Sequence, residues 1–540
     1  MFKRREKLNF KKFLITGALI LAVFGFTVSV SAQQQGGTLT MALKEKLDTL
    51  DVFTSALYEP LYVLGLVCET LVIYDENMEI QPLLAKSWSV SVDQLTWTFK
   101  LKEGINFHDG TPFNAETLKD YLWNWFFPKS FGGWEFEPVK ELVVVGEYTL
   151  NFVLEQPYSM LLTYLGDPWN IIQSPAAYEK HGERYGFDAL VGTGPFMFDS
   201  WVRGDRIILK KNPDYTHGPA FLSNQGPAYL DEIVFRIVPE AITRVSELRY
   251  GDVDLIRTVP ENMLANLQED TNIETLLKPS FRVVFISCNM DRSIMQDKRV
   301  REAINHAVDR QAVLNATFSG YGTVASSLLP PSATGYWSGS EEFAKSILTY
   351  DPDKARTLLD EAGWGLPPGE TVREKNGQKL NLNLVAMNVP RYSLPAEIVT
   401  AMLADIGIAV NLEIFDAAAV NARLEASEFD FTVTGWSYNI GEVTLDMIVG
   451  SPSIPNPNYA RYDSPAIDRA LETVRLGATA EERVTASAAV QRMVVEDQIV
   501  IPLVVRSDSI AVKGHVGGID EVKKHPWWLD LVLALELYVK

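Results

Sequence analysis

Six histidines, at 108, 181, 217, 306, 515 and 525, are scattered along the chain with no His-Glu-x-x-His and no close pair. The ligand spacing of a protein-held zinc site is therefore missing. No Gly-x-Ser-x-Gly occurs, so there is no nucleophile elbow for acyl transfer. Gly192-Thr193-Gly194-Pro195 is glycine-rich but lacks the Lys-Ser/Thr that completes a phosphate cradle, and it reads as a tight turn feeding a strand. Asp252-Val253-Asp254, directly after Gly251, offers paired carboxylates for acid–base work and equally a helix-ending turn. His306, mid-helix among polar positions, reads as a surface or packing residue rather than a ligand. Nothing in this set asks for catalysis, for a metal or for a cofactor.

Aromatic content points elsewhere. Twelve tryptophans occur, with a dense stretch at Trp123, Trp125, Phe126, Phe127, Phe131 and Trp134. Core packing is the ordinary reading of any one ring, because large rings supply much of a protein's buried area. Trp436 differs, since it follows the end of the apolar strand Phe429–Thr434 and opens the turn Gly435-Trp436-Ser437-Tyr438-Asn439. Ligands of α/β sheets collect beyond the carboxyl ends of strands. An aromatic wall beside Ser437, Asn439 and Glu442 fits that location, so Trp436 is expected to be a binding element, with core packing as the alternative.

These residues need elements to hold them, and the chain alternates strands and helices. Thr38–Ala42, Thr96–Leu101, Arg206–Lys210 and Ile233–Val238 read as strands. A helix from Ala241 stops at Gly251, where glycine tolerates positive φ. Asp297 caps a helix whose apolar positions are Val300, Ala303, Ile304, Ala307 and Val308, and Asp351-Pro352 starts another that closes at Gly363. Strands at Leu382–Val385 and Ile408–Ile414 flank a helix opened by Pro395, which makes 382–414 a β–α–β unit. Ser464-Pro465 and Thr479 start two more helices. No repeat, low-complexity tract or Gly/Ser linker separates domains, so they are interleaved.

The N-terminus reads as an address. Lys3, Arg4, Arg5, Lys7, Lys11 and Lys12 precede Phe13–Val30, 18 residues without a charge, and Val30-Ser31-Ala32 places small or apolar residues at the −3 and −1 positions. This is the pattern of a cleavable secretory signal peptide, with an uncleaved signal anchor as the alternative because 18 apolar residues just span a bilayer. No cysteine follows the run, which excludes a lipoprotein anchor. The whole chain of 540 residues carries a net charge of −20; without residues 1–32 it has 43 basic and 68 acidic residues, net −25 over 508. A pI near 4.9 argues against nucleic acid and anionic lipid as partners, and so much charge keeps an exported chain soluble and monomeric. Its length suits two to four domains, or two large lobes. Cys68 and Cys288, the only cysteines, cannot build a disulfide scaffold; they pair once or remain two buried thiols.

Five segments, in order, carry a resemblance: Ile80–Trp88, Phe107-His108-Asp109-Gly110-Thr111-Pro112-Phe113, Gly192-Thr193-Gly194-Pro195-Phe196, Asp297–Ile304 and Tyr350–Ala355. Over nearly all of the exported chain the sequence resembles the peptide/nickel-type (family 5) extracytoplasmic solute-binding proteins of ABC transporters. The resemblance implies an α/β, two-lobe periplasmic-binding-protein type II fold of the large, three-subdomain variety, with a two-strand hinge. Lobe I is expected over 33–282, with a small subdomain near 72–215, lobe II over 283–504, and a return to lobe I over 505–540. The hinge crossings are placed near Phe281–Asn289 and Val500–Arg506.

The resemblance also implies the function: a periplasmic protein that captures a peptide-like solute between its lobes and delivers it to ABC permease transmembrane subunits, without catalysis. In peptide-binding relatives an aspartate in the turn after the Gly-Trp pair holds the ligand's N-terminal amine, and that position is Asn439 here. An amide accepts a hydrogen bond from an ammonium without neutralising it, so Glu442 or Asp446 must supply the charge if a free amine is bound there. Arg391-Tyr392 matches the place of an arginine for the ligand carboxylate, with a solvated loop arginine as the alternative, and Tyr58 lies in the loop after the first strand, another ligand-contacting place. Oligosaccharide is the second ligand class, a chelated metal complex the third, and an exported hydrolase on this fold the reading from a different class.

Overall fold

The computed structural model describes residues 35–44, 47–54, 58–130, 132–477, 479–525 and 529–540. The leader read at residues 1–32 and Phe131 of the aromatic stretch lie outside them. Eleven strands build the main sheet: β1 (Thr38–Leu43), β2 (Phe196–Val202), β3 (Arg206–Lys211), β4 (Glu232–Ile237), β5 (Leu255–Arg257), β6 (Ile273–Cys288), β7 (Gly322–Val324), β8 (Asn381–Met387), β9 (Ala409–Phe415), β10 (Phe431–Ser437) and β11 (Val500–Lys513). Their order is β9-β8-β10-β6-β11-β5-β1-β4-β3-β2, with β7 paired to β11 off that path. β1 runs parallel to β4 and β5, and β8 runs parallel to β9 and β10. Such pairs need crossover connections, and the helix Pro390–Ala404 between β8 and β9 is one. A separate four-stranded antiparallel sheet joins Ala85–Val90, Thr96–Leu101, Thr149–Leu154 and Val139–Gly146.

Two lobes share the main sheet through β6 and β11, strands of 16 and 14 residues. They pair antiparallel along most of their length, and their register slips between Pro279 and Val283. On one side of the slip Leu276, Ile510 and Val512 enter the large core that also holds Leu39, Val67, Phe99, Phe152 and Phe235. On the other side Val284, Ile286, Leu503 and Val504 join Val300, Ile304, Leu382 and Phe431, while Val283, Phe285 and Val505 join a third cluster with Leu445 and Val490. Val516, Val522, Leu531, Leu535 and Leu537 bring the chain's last segment into the first core. Cys68 and Cys288 are free, buried thiols in different cores. His306 is buried, with Nδ1 against the Thr349 carbonyl at 2.9 Å, so of the two readings, surface or packing, it is the packing residue.

The first lobe is organised around one buried carboxylate. Glu69, 1% exposed, follows the helix Tyr58–Val67 and accepts hydrogen bonds from the Thr193 hydroxyl (2.8 Å), the Tyr215 hydroxyl (2.7 Å) and His217 Nε2 (2.8 Å). Thr193 comes from the Gly192–Phe196 segment. His108, from the Phe107–Phe113 segment, is tied to it by a 2.9 Å contact of Nε2 with the Gly194 carbonyl and a 2.9 Å bond from its backbone N–H to the Gly192 carbonyl. A Cβ on Gly192 would strike the Val67 carbonyl oxygen, and one on Gly194 would lie 2.7 Å from that of Leu66. These glycines are required by the close approach of two backbones, not by a left-handed turn. Burial raises the Glu69 carboxyl, but the neighbouring His217 and the bonds from His217, Tyr215 and Thr193 outweigh it and hold the carboxyl below its ordinary range.

Glu69→Gln should therefore lower the unfolding free energy by about 3 kcal/mol, since its NH₂ would face a donor and the buried donors around it would lose a charged acceptor. Urea denaturation at neutral pH measures this. A depressed carboxyl binds more protons when unfolded, so its contribution is full at neutral pH and fades as the pH falls through the folded-state value. Wild type should lose more stability than Glu69→Gln between about pH 5 and about pH 3.

Candidate functional site

β10 carries the second lobe's contribution. The turn expected at 435–439 does not start at Gly435: the strand continues through Ser437, because β6 offers it partners as far as Arg282. Gly435, Trp436 and Ser437 lie opposite Val284, Val283 and Arg282. The chain leaves the sheet at Tyr438 and Asn439 and enters the helix Gly441–Val449. A Cβ on Gly435 would stand 2.7 Å from the Val283 carbonyl oxygen and 3.0 Å from the Tyr392 ring, so that ring rests on bare backbone.

Tyr392 and Arg391 are not in a loop. The helix begins at Pro390, in the first turn where a missing N–H costs nothing, and Pro395 lies inside it rather than opening it. Tyr392 is buried and its hydroxyl accepts from Arg282 Nη1 at 2.7 Å, while the Arg391 guanidinium lies 5.1 Å from the Tyr392 ring centroid. Trp436 is half-buried and packs on the third core, and its Nε1 is buried without a hydrogen-bond partner among the described residues. Tyr58 stands at the first residue of its helix rather than in the loop before it; its ring meets Trp169 edge-on at 5.5 Å and its hydroxyl faces Ser437.

The first lobe meets these residues with two acids that pattern reading missed. Asp167, 0% exposed, caps the short turn Pro168–Asn170 through a 2.9 Å bond from the Trp169 N–H and accepts from Asn439 Nδ2 at 2.8 Å. Glu135, 1% exposed, accepts from Asn170 Nδ2 at 2.7 Å and from the Tyr438 hydroxyl at 2.8 Å. Tyr438 and Asn439 thus reach across from the second lobe, and Ile440 and Val443 beyond them pack into the first lobe's core. Tyr58, Ser437 and Asn439 converge on this cluster. Glu442 instead takes the Thr334 hydroxyl, and Asp446 pairs with Arg475, so neither supplies charge at position 439. Beside the cluster a cavity of about 340 Å³ is lined by Ile80, Val92, Trp97, Tyr158, Thr163 and Arg483; the Tyr158 hydroxyl donates to the Glu135 backbone carbonyl at 3.1 Å.

Burial pushes the Asp167 carboxyl well above the usual carboxylate range. Burial pushes Glu135 up as well, and the negative charge of Asp167 adds to it. Burial likewise raises Glu442, with Thr334 opposing. The arrangement presents buried polar groups and aromatic rings to whatever lies between the lobes.

Comparison with known proteins places this geometry. The model of the bacterial extracellular solute-binding proteins, family 5, matches residues 79–448. The glutathione-binding protein GsiB of Escherichia coli O1:K1 / APEC is 31% identical over 446 residues, which are 80% of this chain and 81% of that protein. Among solved structures, the periplasmic binding protein DppA of Helicobacter pylori, in complex with the peptide STSA, aligns with a TM-score of 0.72 at 24% identity, covering 94% of this chain and 98% of that one. HbpA2 of Haemophilus parasuis aligns with a TM-score of 0.79 at 21% identity, over 93% of this chain and 100% of that one. These two share the two-lobe fold.

The raised carboxyls carry a pH signature. Asp167 and Glu135 hold protons in the folded state that the unfolded chain has released, so their contribution is full at low pH and is lost as pH rises toward and past neutrality. Raising the pH from about 5 to about 8.5 should lower the unliganded melting temperature more in wild type than in Asp167→Asn/Glu135→Gln. The difference between the two proteins separates the pair from the buried histidines; equal slopes in thermal denaturation would contradict the assignment.

Proposed function

Because the chain belongs to the bacterial extracellular solute-binding proteins of family 5, we propose that it is exported to the periplasm and binds a peptide-like solute in the cleft between its lobes. It works as the solute-binding component of an ABC importer, passing the solute to the permease's transmembrane subunits. The relatives it matches are binding proteins, and no reaction needs to be assigned to the cleft. The observation that carries the reading is the meeting of Tyr438 and Asn439 with Glu135 and Asp167, a buried polar junction between lobes built from opposite ends of the sheet. A glutathione-binding relative and a fold neighbour seen with a peptide support the peptide-like class.

In this reading 33–282 and 505–540 form lobe I and 283–504 forms lobe II, a division supported by the change of core on either side of the register slip. Residues 1–32 are the cleaved leader, and the mature protein works as a monomer. Trp436, Ser437, Tyr58 and Asn439 face the solute, Arg391 receives a carboxylate with Tyr392 and Arg282 behind it, and Glu442 braces the wall through Thr334. Closure is a shift in population: the solute favours the closed arrangement by touching both lobes at once.

A thermal-shift series with glutathione, short peptides and oligosaccharides tests the solute class. A bound solute raises the melting temperature by mass action, and peptides should give a shift of several degrees. A shift with saccharides alone would overturn the peptide reading. Trp436→Ala should weaken peptide binding by about tenfold or more in calorimetric titration, beside a modest loss of basal stability from its packing on the third core. Unchanged affinity would make Trp436 a packing residue only.

A further inference from the structure

Asp167 and Glu135 are withdrawn from water, and each bonds to a side chain of the other lobe. Asn170 links them: its backbone N–H donates to the Asp167 carbonyl at 2.8 Å and its Nδ2 to the Glu135 carboxyl at 2.7 Å. Among the described residues neither acid forms an ion pair with a lysine, arginine or histidine. Phenols surround them instead. Tyr58 at the start of its helix and Tyr74 of the strand Val72–Tyr74 sense the charge of Asp167. Tyr158 and Tyr164 sense that of Glu135, and Tyr438 senses both. Burial pushes every one of these hydroxyls up, so none is charged near neutral pH. The charged groups that reach those phenols are Arg282 and Asp508 at Tyr58, Arg475 and Asp446 at Tyr158, and Glu442 and Arg483 at Tyr74. None of them bonds to either acid. A dry carboxylate without a cation is costly, a second one beside it more so, and such acids stay neutral.

We propose that this junction is a proton-operated latch: the lobes close with both carboxyls protonated and part as those protons pass to water. The latch goes beyond the solute reading and rests only on the closure motion given with it. Closure brings Tyr438 to Glu135 and Asn439 to Asp167 and excludes water, so each carboxyl keeps its O–H. Opening hydrates both acids; each O–H bond then breaks, the proton goes to water and a carboxylate remains. Returning that carboxylate to the dry junction without a cation is unfavourable, which holds the lobes apart until it is protonated again. Hydrated carboxyls titrate at about pH 4. Above that pH the open form binds fewer protons than the closed form, so rising pH favours opening and falling pH favours closure. The latch needs no solute, and it makes the resting population of the closed form a function of the surrounding pH.

The test uses the solute-free chain without residues 1–32, carrying dyes on Ser89→Cys of the small sheet and Glu481→Cys of the second lobe. Both positions are exposed, and the native thiols are buried. Energy transfer between the dyes reads the open fraction, and small-angle scattering of the unlabelled chain checks it. From about pH 5.5 to about pH 8.5 the ratio of open to closed wild type should rise by about tenfold or more. In Asp167→Asn/Glu135→Gln, which has no such protons to release, it should change by less than about twofold. If the double variant does not fold, Glu135→Gln alone decides, and it should give a shallower rise than wild type. A wild-type ratio independent of pH, or an equal rise in wild type and variants, would overturn the latch. Closure on adding glutathione or trialanine without any response to pH would overturn the latch and leave the closure reading standing. Lobes that move neither with pH nor with peptide would overturn both.

Discussion

A carboxylate withdrawn from water must find its donors inside the chain, and Glu69 finds them in segments far away in sequence. Thr193, Tyr215 and His217 close on it from 124, 146 and 148 residues along the chain. The last turn of the helix Tyr58–Val67 must therefore lie against the Gly192–Gly194 backbone, and only glycine permits that approach. Tyr58, at the other end of the same helix, is set in the cleft as a result. Lys102 donates to the His217 carbonyl at 2.8 Å and ties the small sheet to the same point. Disturbing this junction would displace the wall that carries Asp167 and Glu135 as well as the core beneath it.

The second constraint is continuity. β6 and β11 pass through both halves of the sheet, so the lobes are joined by hydrogen-bonded strands rather than by a loose linker. The slip between Pro279 and Val283 interrupts the ladder at the point where the surrounding core changes. A second shift follows between Val284 and Phe285, and irregular pairing of this kind bends a strand locally. Arg282, at the slip, also supports Tyr392 beneath Gly435, which couples the joint to the cleft's second-lobe wall.

Much of the local structure is written in the sequence because its physics is local. Asp297, Asp351, Ser464 and Thr479 each cap the helix that their residue types announce, through bonds reaching two or three positions ahead. Local pattern fails where a distant partner decides. Pro390 and Pro395 signal a helix start equally well, and only the packing of Tyr392 under Gly435 favours the earlier one. The Gly-Trp-Ser segment has turn composition but becomes strand because β6 continues beside it. Trp436, Ser437 and Asn439 were visible as candidates from their place beyond an apolar strand. Asp167 and Glu135 were not, since Asp-Pro is an ordinary turn signature and burial of an acid is a property of the assembled lobes. Trp134 and Phe136 beside Glu135, and Tyr164, Trp169 and Asn170 near Asp167, are local hints of such an environment.

Ile440 and Val443 belong to the first lobe's core although they follow a second-lobe strand. Separating the lobes must hydrate these side chains, so opening carries a positive heat-capacity change of its own. Their grip strengthens on warming from the cold, as apolar contacts do, whereas the hydrogen bonds of Asn439 and Tyr438 are polar and directional. In the proposed closure, the resting balance between open and closed forms is set partly by solvent cohesion. Salts and osmolytes excluded from protein surface would then shift it toward closure before any solute arrives.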